Sequence, residues 1–337
     1  MAVVDSQPFV SGSGYWVMKI RTFDLFCGAG GSSCGARQAG VQIVGGVDLW
    51  SRAVETFQNN FPKAKVYQCP IEELSPMAIR TEVGPVELLL SSPECTNHSV
   101  AKGNAPRDEL SRRTAFQVIR FAEEWRPRWV VVENVVSMQR WDSYQEWLSR
   151  LRDLGYWTSE FKLNAQDFGA PQSRRRLFVL ADRERMPRIP KARADKPTPV
   201  SSILMRGASD NGYSYRLRPL LDPGRAAPTI ERANRAIEAV GRKQPFLIVY
   251  YGSDAAGGWQ SLDRPLRTIT TLDRFALVEP VRGGHMMRML QPPELAAAMG
   301  FPPDYLWPEI TRREHIKLIG NAVSPPVMRA IVEALVT

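Results

Sequence analysis

Apolar residues in the first half of the chain fall into short blocks, separated by amphipathic stretches. Blocks near 20–26, 43–47, 86–90, 128–132 and 176–181 are short, aliphatic or aromatic, and predict strands. Stretches near 31–39, 50–60, 109–125 and 142–154 place apolar residues at helical spacing and predict helices. Such alternation predicts an α/β fold with a doubly wound, mostly parallel sheet. After Asp182 the periodicity fades. Pro187, Pro190, Pro197, Pro199, Pro219, Pro223, Pro228 and Pro245 punctuate the chain, and aromatics mix with arginines at Tyr213, Tyr215, Arg216, Arg218 and Trp259. A smaller, irregular second domain is expected there. Helical pattern returns at 295–299 and 327–336, in segments expected to pack back on the sheet. The expected division is a flexible tail over 1–17, a first domain over 18–182, a second over 183–285, and C-terminal helices over 286–337. Met18-Lys19 reads as a natural start just before the first strand.

Two strand ends carry candidate chemistry. Ser91-Ser92-Pro93-Glu94-Cys95-Thr96 puts a thiol in a Pro-bounded turn after an apolar run, and Trp129-Val130-Val131-Val132 runs into Glu133-Asn134. Ligands of open α/β sheets bind beyond strand carboxyl ends, so the thiol and the acid can face one substrate. A nucleophile beside a proton donor can attack an electron-poor ring. A buried structural cysteine and a helix-capping glutamate fit the same two segments. Upstream, Phe23-Asp24-Leu25-Phe26-Cys27-Gly28-Ala29-Gly30-Gly31 is a strand running into a glycine turn, which permits positive φ and close ligand approach. It lacks the Lys-Ser/Thr of a phosphate-binding loop. About twenty residues on, Asp48 can accept ribose hydroxyls, and Trp50 can stack on adenine. The pair reads as an adenosine site without phosphate machinery, of which S-adenosylmethionine is one ligand.

With four further segments in order, the chain resembles the DNA cytosine-5 methyltransferases from about Arg21 onward. The segments are Gln172-Ser173-Arg174-Arg175-Arg176, Arg264-Pro265-Leu266-Arg267-Thr268-Ile269-Thr270, Arg288-Met289-Leu290-Gln291-Pro292-Pro293-Glu294, and Gly320-Asn321-Ala322-Val323-Ser324-Pro325. The resemblance implies the S-adenosylmethionine-dependent methyltransferase fold with a target-recognition domain. It also implies methyl transfer to C5 of cytosine in a specific double-stranded DNA sequence, through a Cys–C6 adduct and base flipping, leaving S-adenosylhomocysteine. Cys95 matches the nucleophile, Glu133 the acid at N3, Asn134 its support, and Arg174 and Arg176 the arginine pair at the base and its phosphate. Phe23, Cys27, Gly28, Ala29, Gly30, Gly31, Asp48, Trp50, Ile71, Asn321 and Val323 match the cofactor site. Ser99, Lys102, Arg107, Gln172, Arg216 and Arg218 are the expected DNA contacts. A cognate restriction endonuclease is the expected functional partner, and the chain is expected to act as a cytoplasmic, nucleoid-associated monomer of prokaryotic or phage type.

Charge sharpens the picture. The chain carries +9 over 337 residues, and fourteen Lys/Arg against seven acids within 183–262 account for +7 of it. A segregated basic region fits a polyanion partner as well as a solvated basic surface. Cys27, Cys34, Cys69 and Cys95 show no paired metal spacing, which fits a reducing compartment, and His98, His285 and His315 are too few for a histidine-based metal site. No apolar run reaches the roughly 18 residues of a membrane span, and no secretory signal is expected. Three departures from the family stand out: Glu94 and Thr96 flank Cys95 where Pro and Gln are usual, Asp48 replaces a glutamate, and Pro70 replaces an acid before Ile71. A carboxylate facing the thiol would raise its pKa. Methylation of RNA, methylation of a modified cytosine, and a catalytically impaired DNA- or cofactor-binding homologue therefore stay open beside the leading reading.

Overall fold

The computed structural model describes residues 20–93, 109–206, 213–250 and 257–337, without the side chains of 109–113. Expected features at 1–17, Glu94, Cys95, Thr96, Ser99, Lys102 and Arg107 lie outside those residues.

The first half builds a seven-stranded sheet. Its strands are β1 (Arg21–Leu25), β2 (Gln42–Asp48), β3 (Lys65–Gln68), β4 (Leu88–Ser91), β5 (Trp129–Asn134), β6 (Trp157–Asn164) and β7 (Arg175–Asp182), in the spatial order β3-β2-β1-β4-β5-β7-β6. From β3 to β5 all neighbours are parallel, whereas β7 runs antiparallel to both β5 and β6. The chain leaves β1 toward β2 and β3, then returns to place β4 on the other side of β1. That reversal opens a crevice beyond the carboxyl ends of β1 and β4.

Helices cover both faces, as continuous apolar strands require. Leu88, Leu90 and Val131 face a core with α1 (Gly31–Gln38), α2 (Ser51–Asn60) and the C-terminal helices α7 (Pro292–Met299), α8 (Arg312–Asn321) and α9 (Pro325–Val336). Phe23, Leu25, Leu89, Val130 and Val132 face the other way, onto α3 (Pro76–Val83), α4 (Glu109–Trp125) and α5 (Tyr144–Asp153). The fold is thus doubly wound and mostly parallel, as the periodicity predicts. The helix α8 begins with a reciprocal capping box, Thr311 accepting from the Glu314 N–H and Glu314 from the Thr311 N–H.

The region after Asp182 is more regular than its prolines suggest. Its strands are β8 (Arg218–Pro219), β9 (Phe246–Val249), β10 (Trp259–Ser261), β11 (Phe275–Val281) and β12 (Gly284–Met289), with α6 (Ala227–Val240) alongside. They form an antiparallel sheet in the order β10-β9-β11-β12-β8. Apolar residues of this sheet serve two cores. Leu247, Val249, Phe275 and Leu277 join the core beneath the first sheet. Phe246, Ile248, Ala276 and Val278 pack with Ala233 and Ala236 of α6. The expected boundary after residue 285 falls inside β12, because that strand pairs with β11 before the chain turns into α7.

A buried ion pair joins the two units. Arg288 on β12 donates to both carboxylate oxygens of Glu294 on α7, at 2.8 and 2.7 Å, with the side chains 4% and 0% exposed. Glu294 also accepts from the backbone N–H groups of Met205 and Gln291, and Arg288 donates to Met205 O. Every face of the pair is satisfied, so its worth lies in what losing one partner would expose. Glu294→Ala should lower unfolding free energy by about 3–5 kcal/mol, measured by chemical denaturation. The double change Arg288→Met with Glu294→Leu should cost less than that single change.

Candidate active site

The turn after β1 is backbone-determined. Phe26 adopts φ 58°, Gly28 φ 52° and Gly30 φ 81°. A non-glycine residue in the left-handed region at a strand's carboxyl end is strain of the kind that gathers at ligand sites. The Gly30 N–H donates to Cys27 O at 2.8 Å and closes the turn. A Cβ at Gly28 would meet nothing within 4 Å, so this glycine faces open space, whereas a Cβ at Gly31 would overlap the carbonyl of Val323. Asp48, at the end of β2, accepts from the Gly28 N–H and the Trp50 N–H, both at 2.9 Å. Burial pushes its carboxyl pKa up, and those bonds together with Lys317 oppose the rise. Trp50 is half-buried, and Lys317 Nζ sits 4.4 Å from its ring centroid. Ile71 is buried at the start of a single 3-10 turn. Asn321, exposed, and Val323, buried, follow from the end of α8. An open glycine beside a fixed carboxylate and an indole fits an adenosine carrying no phosphate.

Two expected cofactor residues have buried side chains. Phe23 is fully buried in β1, its ring edge-on to Trp125 at 5.0 Å, because its position in the strand points it into the core away from the crevice. Phe26, three residues on and beyond the strand end, is the aromatic at the turn. Cys27 is buried, and desolvation plus the nearby Asp48 and Asp24 carboxylates push its thiol well above the usual range, so it packs without reactivity.

Hydrogen bonds bring the neighbouring strand ends together. The Ser92 N–H donates to Leu25 O at 3.2 Å, and Ser92 Oγ donates to Phe26 O at 3.0 Å. Asn134 Nδ2 donates to Pro93 O at 3.2 Å. The turn leading toward Cys95 is therefore tied to the glycine turn on one side and to the end of β5 on the other. Glu133 is buried, with Arg176 Nε 3.3 Å from its Oε1. Burial raises its pKa, and Arg176 and then Arg174 oppose the rise.

The arginine element divides in two. Arg176 reaches Glu133, while Arg174 is buried and donates to Ile269 O at 3.0 Å and Gly320 O at 2.9 Å. Gln172 is fully buried. Its Oε1 accepts from the Ile269 N–H at 2.9 Å, and its Nε2 donates to Ala298 O at 3.5 Å, which leaves it holding segments together instead of facing DNA. Arg216 and Arg218 are exposed, with no ion pair among the described residues, on the wall of a cleft of about 1760 Å³. Tyr213, Tyr250 and Trp307 also line that cleft, which runs between the second sheet and the segment from α7 to α8. Among the described residues no cluster of His, Cys, Asp and Glu could hold a metal ion.

This chain belongs to the C-5 cytosine-specific DNA methylases, whose family profile matches residues 20–337. It is a DNA cytosine-5 methyltransferase. Type II methyltransferase M.HgiDI of Herpetosiphon aurantiacus is 31% identical over 322 residues, covering 90% of each chain. Type II methyltransferase M.HindV of Haemophilus influenzae is 25% identical over 325 residues, covering 94% of this chain and 96% of its own. The fold is shared with S. pombe Dnmt2 methyltransferase, at TM-score 0.66 and 17% identity over 95% of this chain and 98% of that one. It is shared too with the Entamoeba histolytica methyltransferase EhMeth, at TM-score 0.67 and 16% identity over 94% and 98%.

A buried acid beneath the glycine turn escaped the sequence reading. Asp24 is fully buried and accepts from Ser33 Oγ at 2.7 Å, while its Oδ1 has no hydrogen-bond partner among the described residues. Desolvation lifts its pKa from 3.8 to about 7. The folded chain therefore keeps a proton that the unfolded chain releases. The resulting stabilisation is full below about 3.8, erodes as pH rises, and is gone above about 7. Asp24→Asn can still accept from Ser33 and never ionises. Its melting temperature should exceed that of wild type near pH 8 and vary less between about pH 5 and pH 8.

Proposed function

We propose that this enzyme transfers a methyl group from S-adenosylmethionine to C5 of cytosine within a specific double-stranded DNA sequence, using Cys95 as a covalent nucleophile. The observation that carries this reading is the hydrogen-bonded convergence of three strand ends. The glycine turn, the turn leading to Cys95 and the Glu133–Arg176 pair lie side by side at the crevice.

Cytosine C5 is too weak a nucleophile to be methylated unaided. The Cys95 thiolate adds to C6 while the Glu133 carboxyl gives a proton to N3, which leaves an enamine with its electron pair at C5. A carboxyl whose pKa is lifted by burial suits that donation, and Arg176 receives the negative charge left on it. The bound cofactor supplies an electrophilic sulfonium methyl. Asp48 and Trp50 hold its adenosine, and Gly28 leaves room beside them. Loss of the C5 proton to solvent, departure of the thiolate and return of the N3 proton to Glu133 restore the aromatic ring and reset both residues.

The target base lies inside a stacked duplex and must be turned out of it, at a cost of a few kcal/mol. Phosphate contacts from the exposed Arg216 and Arg218 on the cleft wall help offset that cost. The region 183–285 is the target-recognition unit in this reading. The Type II names of the relatives support a restriction-modification role with a cognate endonuclease.

Two experiments test the proposal. Duplexes with 5-fluorocytosine at the target should trap a denaturation-resistant complex with wild type and none with Cys95→Ala; equal trapping removes Cys95 from the chemistry. Trp50→Ala should weaken S-adenosylmethionine binding by about 1–3 kcal/mol in calorimetry. An unchanged dissociation constant would put adenine elsewhere.

A further inference from the structure

The buried guanidinium of Arg174 lies where four segments of the chain meet, away from the residues that line the described cleft. Its backbone N–H donates to Asn164 Oδ1 at 2.8 Å, which fixes residue 174 at the entry to β7. Two residues on, Arg176 reaches Glu133. The guanidinium donates through Nη1 to Ile269 O and through Nη2 to Gly320 O, and its charge also acts on Glu133. Gly320 stands in the last turn of α8, where carbonyls have no partner inside the helix. A cation there satisfies an orphan acceptor and meets the negative end of the helix dipole.

The segment beyond Gly320 gives this cap its significance. Asn321 ends α8, and the Val323 carbonyl lies so close to Gly31 that no Cβ fits between them. Gly320 is itself pressed against Thr270, whose carbonyl a Cβ at 320 would overlap. The segment 320–323 is thus clamped between Arg174 and Thr270 on one side and the glycine turn on the other.

We infer that Arg174 is a positioning residue that caps α8 and thereby sets the 320–323 wall of the cofactor pocket, instead of contacting the target base. This inference rests on the cofactor reading given under Proposed function. It predicts that loss of the guanidinium weakens cofactor binding while leaving duplex binding in the absence of cofactor largely intact, since Arg174 touches neither Arg216 nor Arg218 nor the cleft they line.

The test measures S-adenosylhomocysteine binding by calorimetry, binding of a cofactor-free duplex by anisotropy, and melting temperature. It compares wild type, Arg174→Ala, Arg174→Lys and Gly320→Ala. Loss of two charge-assisted hydrogen bonds should weaken S-adenosylhomocysteine binding by about tenfold or more in Arg174→Ala, with partial retention in Arg174→Lys, whose single ammonium can reach one carbonyl. Millimolar guanidinium should restore part of the affinity of Arg174→Ala and leave wild type unchanged. Gly320→Ala disturbs the same clamp through Thr270 and leaves the arginine in place, so it reports even where Arg174→Ala folds poorly. It should show the same selective loss. Wild-type affinity in both Arg174→Ala and Gly320→Ala would overturn the inference and leave the cofactor reading standing. Equal weakening of cofactor and duplex binding, with a lowered melting temperature and no rescue, would also overturn it in favour of a merely structural role. A wild-type chain that binds no S-adenosylhomocysteine would sink the cofactor reading and this inference together.

Discussion

Backbone-to-backbone contact between the first helix and the last segments is the constraint on which the site depends. Side chains at Gly31 and Gly35 would overlap the carbonyls of Val323 and Pro325, so α1 lies directly against the chain entering α9. The sequence of α1, Gly-Ser-Ser-Cys-Gly-Ala-Arg-Gln, has poor intrinsic helix propensity. Tertiary contact compensates, because small residues let two backbones approach closely enough to exclude water along their length. The glycine turn is therefore shaped from both ends of the chain. Its strained dihedrals at Phe26 and Gly28 persist because Asp48, Ser92 and Val323 hold it from three directions.

Buried charge shows a consistent pattern. Glu133 faces Arg176, Arg288 faces Glu294, and Arg174 donates to two carbonyl oxygens. Each pairing joins separate elements of the fold, so the cost of desolvating the ions is set against the specific docking of one segment on another. Among these pairings, Glu133 is the carboxyl whose burial favours the protonated form and which stands at the crevice. Asp24 shares the raised pKa but lies under the turn, closed off by Ser33.

Periodicity made most of the first sheet legible. Blocks such as Leu88-Leu89-Leu90 and Val130-Val131-Val132 are buried on both faces and admit few alternatives. The strands β3 and β6 escaped because they are sheet edges. Lys65 to Gln68 and Trp157 to Asn164 are half-exposed and alternate polar with apolar residues weakly. The helix α8 escaped as well, because its apolar face is narrow, although Thr311 and Glu314 stand three apart at its start. In the second unit, proline spacing concealed β9 and β11, whose apolar runs are as continuous as those of the first sheet. The motif residues were legible as positions, yet their roles were not. Gln172 and Arg174 belong to an element that reads as catalytic, and only the fold reveals that both side chains turn inward to Ile269. The choice of Phe26 over Phe23 turns on a strand boundary, which pattern alone places within a few residues.

The second sheet has two unlike faces. Leu247, Val249, Phe275 and Leu277 belong to the same core as the helices on the first sheet, whereas Phe246, Ile248, Ala276 and Val278 close a small private core with α6. Evolutionary drift is therefore unequally permitted across a single pair of strands. The inner face must co-evolve with α7 and α9, while the outer face can be rewritten together with α6 without disturbing the methyl-transfer machinery. An engineer grafting a foreign recognition module would place the seams to keep the alternate inward residues of β9 and β11 native.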